Sequence, residues 1–592
     1  VVLSTAACAL TLTLLPTTNA AATPPAPDRQ PTATGFGGAV SSLDPYATEA
    51  GLSVLRRGGN AVDAAVAASA MLGLTRPYDG SIGGGGFFVI RDGETGEVTT
   101  IDSREAAGGD VTPEHFLDPE TGRPLNFTQA RRSGLSVGVP GLVRGWDYAL
   151  AEYGTMDLAK VLRPAITQAR SGFVVDAQYQ SRTESNLGYL STFAASADTW
   201  LIDGAAPQQG TVFRNKDLAR TYETLAKEGA DAFYNGPIAE AIVDTVTNPQ
   251  VVPDSTYHAR SGVMKTEDLA SYRAIEKAPT HHTFNGYDIY GMGPSSSGGA
   301  TVAQTLNVLE EFDLSGMDHA EALHYLIDAS ALAYADREAY LGDADFVDTP
   351  LRGLLSQDYA AERAGLLSES AADKPMASGD PWPYNDADGT AVDLAANSPN
   401  GGSTTHLTVA DDEGTVVSYT FTIEGISGSG MTVPGHGFLL NNELTDFSMD
   451  PAHPANAPAG GKRPRSSMTP TIVTQDGEPV VALGTPGGAR IITTVFQLLF
   501  NQLELGMTLP EAIAAPRLSQ RNTTSTEFEA AWFDSPEADA LRARGHRLTS
   551  IGTLNNVTGI AFLDDGRMQA GAEPERYGGG SAGVVRASGD GN

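Results

Sequence analysis

A chain that mixes helix and strand throughout, α/β or α+β in class, is what this sequence predicts, and three observations predict it. Apolar residues recur at helical spacing in long stretches, 47–57, 61–74 and 318–341 among them. Short runs that alternate polar and apolar residues stand between or after them, at 87–91, 406–410 and 415–422. The two kinds of stretch are interspersed rather than segregated, so one core should be built from both. With 592 residues, 41% of them hydrophobic, the chain is long enough to bury that core.

From the amino end, Val1–Ala22 carries no charge, has an apolar run from Ala6 to Leu15, and closes in small residues, with Thr18 and Ala20 at the spacing a signal peptidase reads. This pattern predicts a secretory signal, and a mature chain that is secreted or periplasmic and free of the membrane. Cys8 is a poor lipidation site, because the apolar run continues past it and Thr5 lies three residues before. Residues 23–34 form a Pro-rich spacer, and ordered structure is expected from Gly35. Ala47–Arg57 reads as a helix stopped by Gly58-Gly59. Asn60 with Asp63 can cap the next helix, which is apolar almost all round and belongs inside a core. Gly83–Gly86 leads into a strand, Phe87–Arg91, that turns at Asp92-Gly93. Asp318–Leu341 reads as a long amphipathic helix. His406–Ala410 and Thr415–Thr422 make a hairpin around Asp411–Gly414. Ile491–Leu503 and Leu509–Ala515 read as helices, the second with a Thr508…Glu511 capping box.

Composition excludes several functions. With 72 Asp+Glu against 38 Lys+Arg, a formal charge of −34, the surface would repel a nucleic acid. One cysteine rules out a disulfide framework, a CxxC redox centre and a Cys-rich zinc site. No HExxH occurs, and His281-His282, without acidic or Cys neighbours in sequence, reads as a surface turn, so no metal is expected. Gly83–Gly86 and Ser295–Gly299 lack a Walker lysine or a GxGxxG frame and read as packing or turn glycines. Ser368–Ser403 is rich in Ala, Asp, Gly, Pro, Ser and Asn and should be loosely held. Taken alone, its junction with the strand at Thr404 reads as an ordinary loop.

A set of segments in fixed order rises above these readings. They are Gly58–Ala65, Gly83–Phe87, Asp102–Glu105, Val139–Gly141, Gly293–Gly299, Ser403–Leu407, Leu440–Phe447, Arg465–Met468 and Thr485–Arg490. Each is weak by itself; together, from about Gly35 to the end, they closely resemble the gamma-glutamyltransferases. The resemblance implies an amino-terminal-nucleophile hydrolase fold, an α+β four-layer αββα sandwich. It implies a precursor that cuts itself between Ser403 and Thr404, giving a large subunit, 35–403, and a small catalytic one, 404–592, interleaved in one domain. The junction before Thr404 then reads as a processing site, not a loop. No cofactor is implied, and the partners are small molecules: glutathione, other γ-glutamyl compounds, and amino acid or dipeptide acceptors.

The residue types suit that chemistry. A threonine hydroxyl needs a base to become a nucleophile, and a free α-amine, with a pKa near ~7.7–8, can supply it from the same residue. By the resemblance, Thr404 is the nucleophile, Thr422 orients it, and the backbone N–H groups of Gly487 and Gly488 hold the oxyanion. Arg104, with the Ser466 and Ser467 hydroxyls, would bind the donor's α-carboxylate, and Glu443 and Asp446 its α-ammonium. Two departures stand out. Glu424 replaces an Asn found in many members, where a carboxylate would repel the donor's own or join the ammonium cage. The stretch Phe447–Ser466 is too short for a lid, so an open cleft is expected, favouring water and bulky acceptors. Glu424 also keeps open a related acylase of the same fold, acting on side-chain amides such as glutaryl-cephalosporins. A non-catalytic scaffold is disfavoured, because Thr404 and the glycine pair are present.

Overall fold

The computed structural model describes residues 26–385 and 403–587. The expected signal segment, Cys8 and part of the low-complexity stretch lie outside them. No helix among the described residues is long and apolar enough to cross a membrane.

Thirteen strands belong to one hydrogen-bonded network. In chain order they are β1 (Thr32–Ser42), β2 (Gly85–Arg91), β3 (Val98–Ser103), β4 (Ile275–Lys277), β5 (Thr280–Phe284), β6 (Tyr287–Gly291), β7 (Thr404–Ala410), β8 (Val416–Thr422), β9 (Thr471–Gln475), β10 (Glu478–Gly484), β11 (Thr558–Phe562), β12 (Met568–Ala572) and β13 (Ser581–Ala587). The path runs β4-β3-β2-β8-β7-β1-β12-β11-β10-β9-β6-β5, with β13 also on β1. It doubles over, so that β7 and β8 face β10 and β11. Ser418 Oγ on β8 donates to Leu483 O on β10 at 3.0 Å, and Thr558 Oγ1 on β11 to His406 O on β7 at 3.4 Å.

Helices cover both outer faces. On one, α1 (Pro45–Leu55), α2 (Ala61–Thr75) and α3 (Leu142–Tyr153) pack with Leu407, Val409, Val417, Tyr419 and Phe421. On the other, α4 (Gly298–Glu310), α5 (His319–Tyr340) and α6 (Arg490–Leu503) pack with Val473, Val481 and Leu483. A third apolar cluster, Ala39, Val89, Ala410, Val416, Ile472, Ala482 and Ile560 among it, fills the space between the sheets. Helix, sheet, sheet, helix is a four-layer αββα sandwich.

The local signals act as read. Asn60 and Asp63 form a reciprocal capping box on α2, and Thr508 with Glu511 another on the helix Leu509–Ala514. Three expectations need correction. Strand β1 starts at Thr32, inside the expected spacer, because Thr32–Gly35 pair with Met568–Gly571 on β12. Helix α5 is buried on all sides except at His319 and Glu321, since helices and sheet enclose it, so it is not amphipathic. The alternation in β2, β7 and β8 does not separate a wet face from a dry one, because every residue of these strands is buried. The polar set points between the sheets and is hydrogen-bonded there: the His406 ring meets Thr420 Oγ1 at 2.8 Å and Thr408 Oγ1 at 3.1 Å. Burial holds His406 near a pKa of about 3, hence neutral.

The described part of the low-complexity stretch is also firmer than expected. Lys374 pairs with buried Asp328, Ala371 N donates to Arg544 O at 2.9 Å, and Met376 N to Asn522 Oδ1 at 2.6 Å. Asp328, His324 and His546 form a buried cluster with ligand-type atoms within 4.8 Å of one another. The Lys374 ammonium already sits on Asp328, while His324 bonds His546 at 2.8 Å and Ser368 O at 2.6 Å. His281-His282 lies on β5 and not in a turn; His281 Nε2 meets Asp288 Oδ1 at 2.7 Å, and His282 is buried.

Glycine at 83–86 serves packing. A Cβ on Gly84 would lie 1.9 Å from Thr422 O, at the end of β8. Gly84→Ala should therefore destabilise the chain by about 1–3 kcal/mol or more, the range for overpacking, through displacement of that strand end. Urea unfolding checks this; an unchanged midpoint would show that the contact has slack.

Candidate active site

Thr404 is the first residue of β7 and Thr422 the last of β8, and the antiparallel register sets them directly opposite. Both belong to the face between the sheets. Thr404 Oγ1 donates to Thr422 Oγ1 at 3.3 Å, and Thr422 Oγ1 donates to Ser403 O at 2.6 Å. The Ser403–Thr404 peptide is pinned on both sides, because Ser403 N donates to Glu424 O at 2.5 Å and Ser403 Oγ bonds Asp79. The expected nucleophile, its orienting threonine and the expected cleavage point thus form one chain of hydroxyls ending on the Ser403 carbonyl.

Two cavities meet at Thr404. One is lined by Thr404, Thr422 and Gly488 with the full expected binding set, Arg104, Glu424, Glu443, Asp446, Ser466 and Ser467. The other opens on the Ser403 side and includes Gly487. Gly487 and Gly488 link β10 to α6 with φ of +133° and +60°, and a Cβ on Gly487 would lie 2.1 Å from Asn555 Oδ1. Both the backbone conformation and the space demand glycine. Residues 448–464 line neither cavity. They fold away behind the site, where Asn456 Nδ2 donates to Asp446 O at 2.7 Å and Lys462 Nζ to Ala455 O at 2.9 Å.

The two expected charge poles form one cluster. Arg104 is 1% exposed; one terminal nitrogen bonds Glu443 and the other donates to Asp446 Oδ2 at 2.6 Å, while Nε donates to Pro464 O at 3.1 Å. Burial works against the guanidinium, but Glu443 and Asp446 outweigh it and raise its pKa. Ser466 Oγ accepts from Met468 N at 3.0 Å and Ser467 Oγ from Arg337 Nη2 at 2.8 Å. A hydroxyl that accepts still has its own proton to give.

Several residues here escaped the sequence reading. Arg337, in the last turn of α5, reaches the cavity; burial, with Arg465 alongside, brings it down to about 10. Nothing local marks it. Glu105 and Asn442 lay inside the recognised segments and carried that signal. Glu105 is fully buried, and burial, opposed by Arg104, raises it to about 7. Asn442 Nδ2 bonds Glu424, whose backbone is left-handed at φ +70°. Burial first, and the negative charge of Asp446 next, push Glu424 up to about 8. Glu443 is likewise raised well above the carboxylate range by burial. Arg104, Arg337 and Arg465 line the cavity beside these carboxyl groups, and burial, ahead of the carboxyls' mutual repulsion, shifts Glu105, Glu424 and Glu443 toward the protonated form.

A sandwich of this kind, with a hydroxyl residue heading a central strand where two cavities meet, defines the class: the chain has the amino-terminal-nucleophile hydrolase fold. A cephalosporin acylase from Bacillus halodurans superposes on it at a TM-score of 0.81, with 26% identity, covering 95% of this chain and 98% of that one. Residues 47–583 match the family described as gamma-glutamyltranspeptidase, and the chain belongs to that family. A glutathione hydrolase proenzyme of Bacillus subtilis (strain 168) is 39% identical over 554 residues, 92% of this chain and 91% of its own. An acylase ACY 1 proenzyme of Pseudomonas sp. (strain SE83) is 35% identical over 548 residues, 91% of this chain and 92% of its own.

The raised pKa of Glu424 has a defined consequence for stability. Its neutral form is favoured on folding, so its contribution is complete below the unfolded carboxyl value near ~4.3 and is lost as pH rises through about 8. Glu424→Gln should match the parent near pH 4 and exceed it above pH 8 by roughly 1–3 kcal/mol. Thermal unfolding across that range checks the sign; a variant less stable at high pH would show the carboxylate to be paired.

Proposed function

We propose that this chain is a secreted gamma-glutamyltransferase and glutathione hydrolase, made as a precursor that cuts itself between Ser403 and Thr404. The observation that carries the proposal is the hydroxyl chain Thr404–Thr422–Ser403 O, set where a cavity with a zwitterion's complement opens. The uncharged, apolar amino-terminal stretch supports export.

In the precursor the Thr404 nitrogen is an amide and no base. Attack of Thr404 Oγ on the Ser403 carbonyl moves the acyl group from nitrogen to oxygen, and water then releases Ser403 as a carboxylate and leaves Thr404 with a free amine. That amine takes the hydroxyl proton as Oγ attacks the γ-carbonyl of a donor. The C–N bond breaks, the amine hands its proton to the leaving nitrogen, and a γ-glutamyl ester remains. Water or an acceptor amine attacks the ester and loses its proton to the same amine, from which the departing Thr404 oxygen recovers it. The N–H groups of Gly487 and Gly488 hold the oxyanion, a contribution of ~2.7–4 kcal/mol per donor in comparable sites.

The donor's head group exchanges partners with the ion cluster, pole for pole. Its ammonium takes Asp446, the more exposed of the Arg104 partners, and Glu443. Its carboxylate takes the guanidinium edge thereby released, with the protons of Ser466 and Ser467. The objection that Glu424 would repel this carboxylate is weakened by its raised pKa, since a protonated Glu424 repels nothing. The second reading, an acylase, rests on the ACY 1 relative. A glutaryl donor has no ammonium and would make no use of Asp446.

Thr404→Ala should remain one full-length chain on a denaturing gel and be inactive; a variant that still splits there would refute the nucleophile assignment. The parent should release p-nitroaniline from γ-glutamyl-p-nitroanilide, faster with glycylglycine present. Preference for glutaryl-p-nitroanilide would establish the acylase instead.

A further inference from the structure

Asp79 is a buried carboxylate at the site that no step above uses. It lies between two of the recognised segments, Gly58–Ala65 and Gly83–Phe87, so the resemblance gave it no role. It is 6% exposed and sits in the turn that joins α2 to β2. That turn is held in place. Asp79 N donates to Arg76 O at 3.0 Å, and Tyr78 O accepts from Ser427 N at 2.8 Å. A Cβ on Gly80 would lie 2.8 Å from the Phe421 ring and 3.1 Å from Thr405 Cγ2, so the turn is pressed against β7 and β8 with no room to approach them further.

The partner of this carboxylate is Ser403. Ser403 Oγ donates to Asp79, whereas the Arg182 guanidinium comes only to 3.8 Å. Neutralising a nearby arginine is the ordinary reason for a buried acid, and these contacts set that reason second. A carboxylate accepts and does not donate, so the Ser403 hydroxyl proton must point to it, and the charge makes such a bond about twice as strong as a neutral one. Ser403 is then held at three atoms. Its N–H donates to Glu424 O at 2.5 Å, its carbonyl accepts from Thr422 Oγ1 at 2.6 Å, and its side chain is tied to Asp79. The first two holds come from the end of β8 and just beyond it; the third comes from a turn more than 300 positions earlier in the chain.

The carbonyl carbon between these holds is the atom that Thr404 Oγ must reach in the precursor. The new C–O bond forms there as the C–N bond to Thr404 breaks, and the hydroxyl proton ends on the Thr404 nitrogen. Rate falls steeply when reacting atoms are free to turn away from one another. We propose that Asp79 is a positioning residue for this self-cleavage: by accepting from the Ser403 hydroxyl it fixes the acyl group that is to be transferred, and it makes serine the residue required at 403. Asp79 acts through Ser403 and touches neither reacting atom. The proposal rests on the self-cleavage reading above and adds to it the group that holds the far side of the scissile bond.

The test follows splitting of the full chain with time on denaturing gels, after a labelled pulse of cell-free synthesis. Asp79→Ala and Ser403→Ala should each split about tenfold more slowly than the parent or worse, as expected for loss of a hydrogen bond to a charged group. Asp79→Asn, which keeps the shape and an accepting oxygen but not the charge, should fall between. The double variant Asp79→Ala/Ser403→Ala should split within about twofold of Ser403→Ala alone, because the two side chains act as one unit. Thermal unfolding of Asp79→Ala placed in the uncut Thr404→Ala chain shows whether that variant folds; should it not unfold cooperatively, the rate of Asp79→Asn decides alone. Splitting of Asp79→Ala, or in that case of Asp79→Asn, at the parental rate would overturn the proposal. So would equal slowing by Asp79→Ala with and without the Ser403 hydroxyl, the result of a merely loosened turn. Failure of the self-cleavage reading looks different: the parent would then never split, or Thr404→Ala would.

Discussion

The pairing of β7 with β8 is the constraint on which the rest of the site depends. Because side chains alternate along a strand, the register that sets Thr404 opposite Thr422 also sends both toward the space between the sheets, together with His406, Thr408, Ser418 and Thr420. A slip of one residue would turn Thr404 into the helical layer and Thr405 to the cavities. The apolar members of the same strands, held by α2 and its neighbours, prevent that slip. Packing in one layer thus sets hydroxyl geometry in another.

Charge is the second organising element. Burying Arg104 beside Glu443 and Asp446 leaves a preformed ionisable cluster at the head-group cavity. Desolvation of these groups is met during folding, when hydrophobic packing can offset it, and need not be met again when a ligand enters. The raised pKa values of Glu105, Glu424 and Glu443 follow first from the same burial.

The fold and the proposed nucleophile were legible in sequence to different depths. Capping residues such as Asn60 and Asp63 act within a few positions, so their helix was readable locally. The residues lining the head-group cavity come from β7, β8, α5, the start of α6 and loops at 104, 424, 443 and 466, and the resemblance to the family joined those it reached. Arg337 was invisible because it lies in a helix whose pattern reports burial, not direction. The sequence signal was misleading for α5 and β8. Alternation and helical spacing measure which residues prefer water, whereas a four-layer sandwich covers both faces of an element and satisfies the polar one with hydrogen bonds. The segment near Lys374 looked loose because its few apolar side chains hid an anchorage made by an ammonium, the His324 imidazole and backbone donors.

The strand order carries one further consequence. Strands preceding Ser403 border strands following it at β2/β8, β7/β1, β1/β12 and β9/β6. A cut at this point would end covalent continuity without opening any of those borders, and the two pieces would stay enmeshed. The uncut chain assembles this weave in a first-order process, its halves tethered at high effective concentration. Once cut and unfolded, the pieces would have to meet by diffusion and thread the same alternation from separate coils. Maturation would then make unfolding a one-way event, and the working lifetime of the protein would be set by how fast it opens rather than by how stable it is.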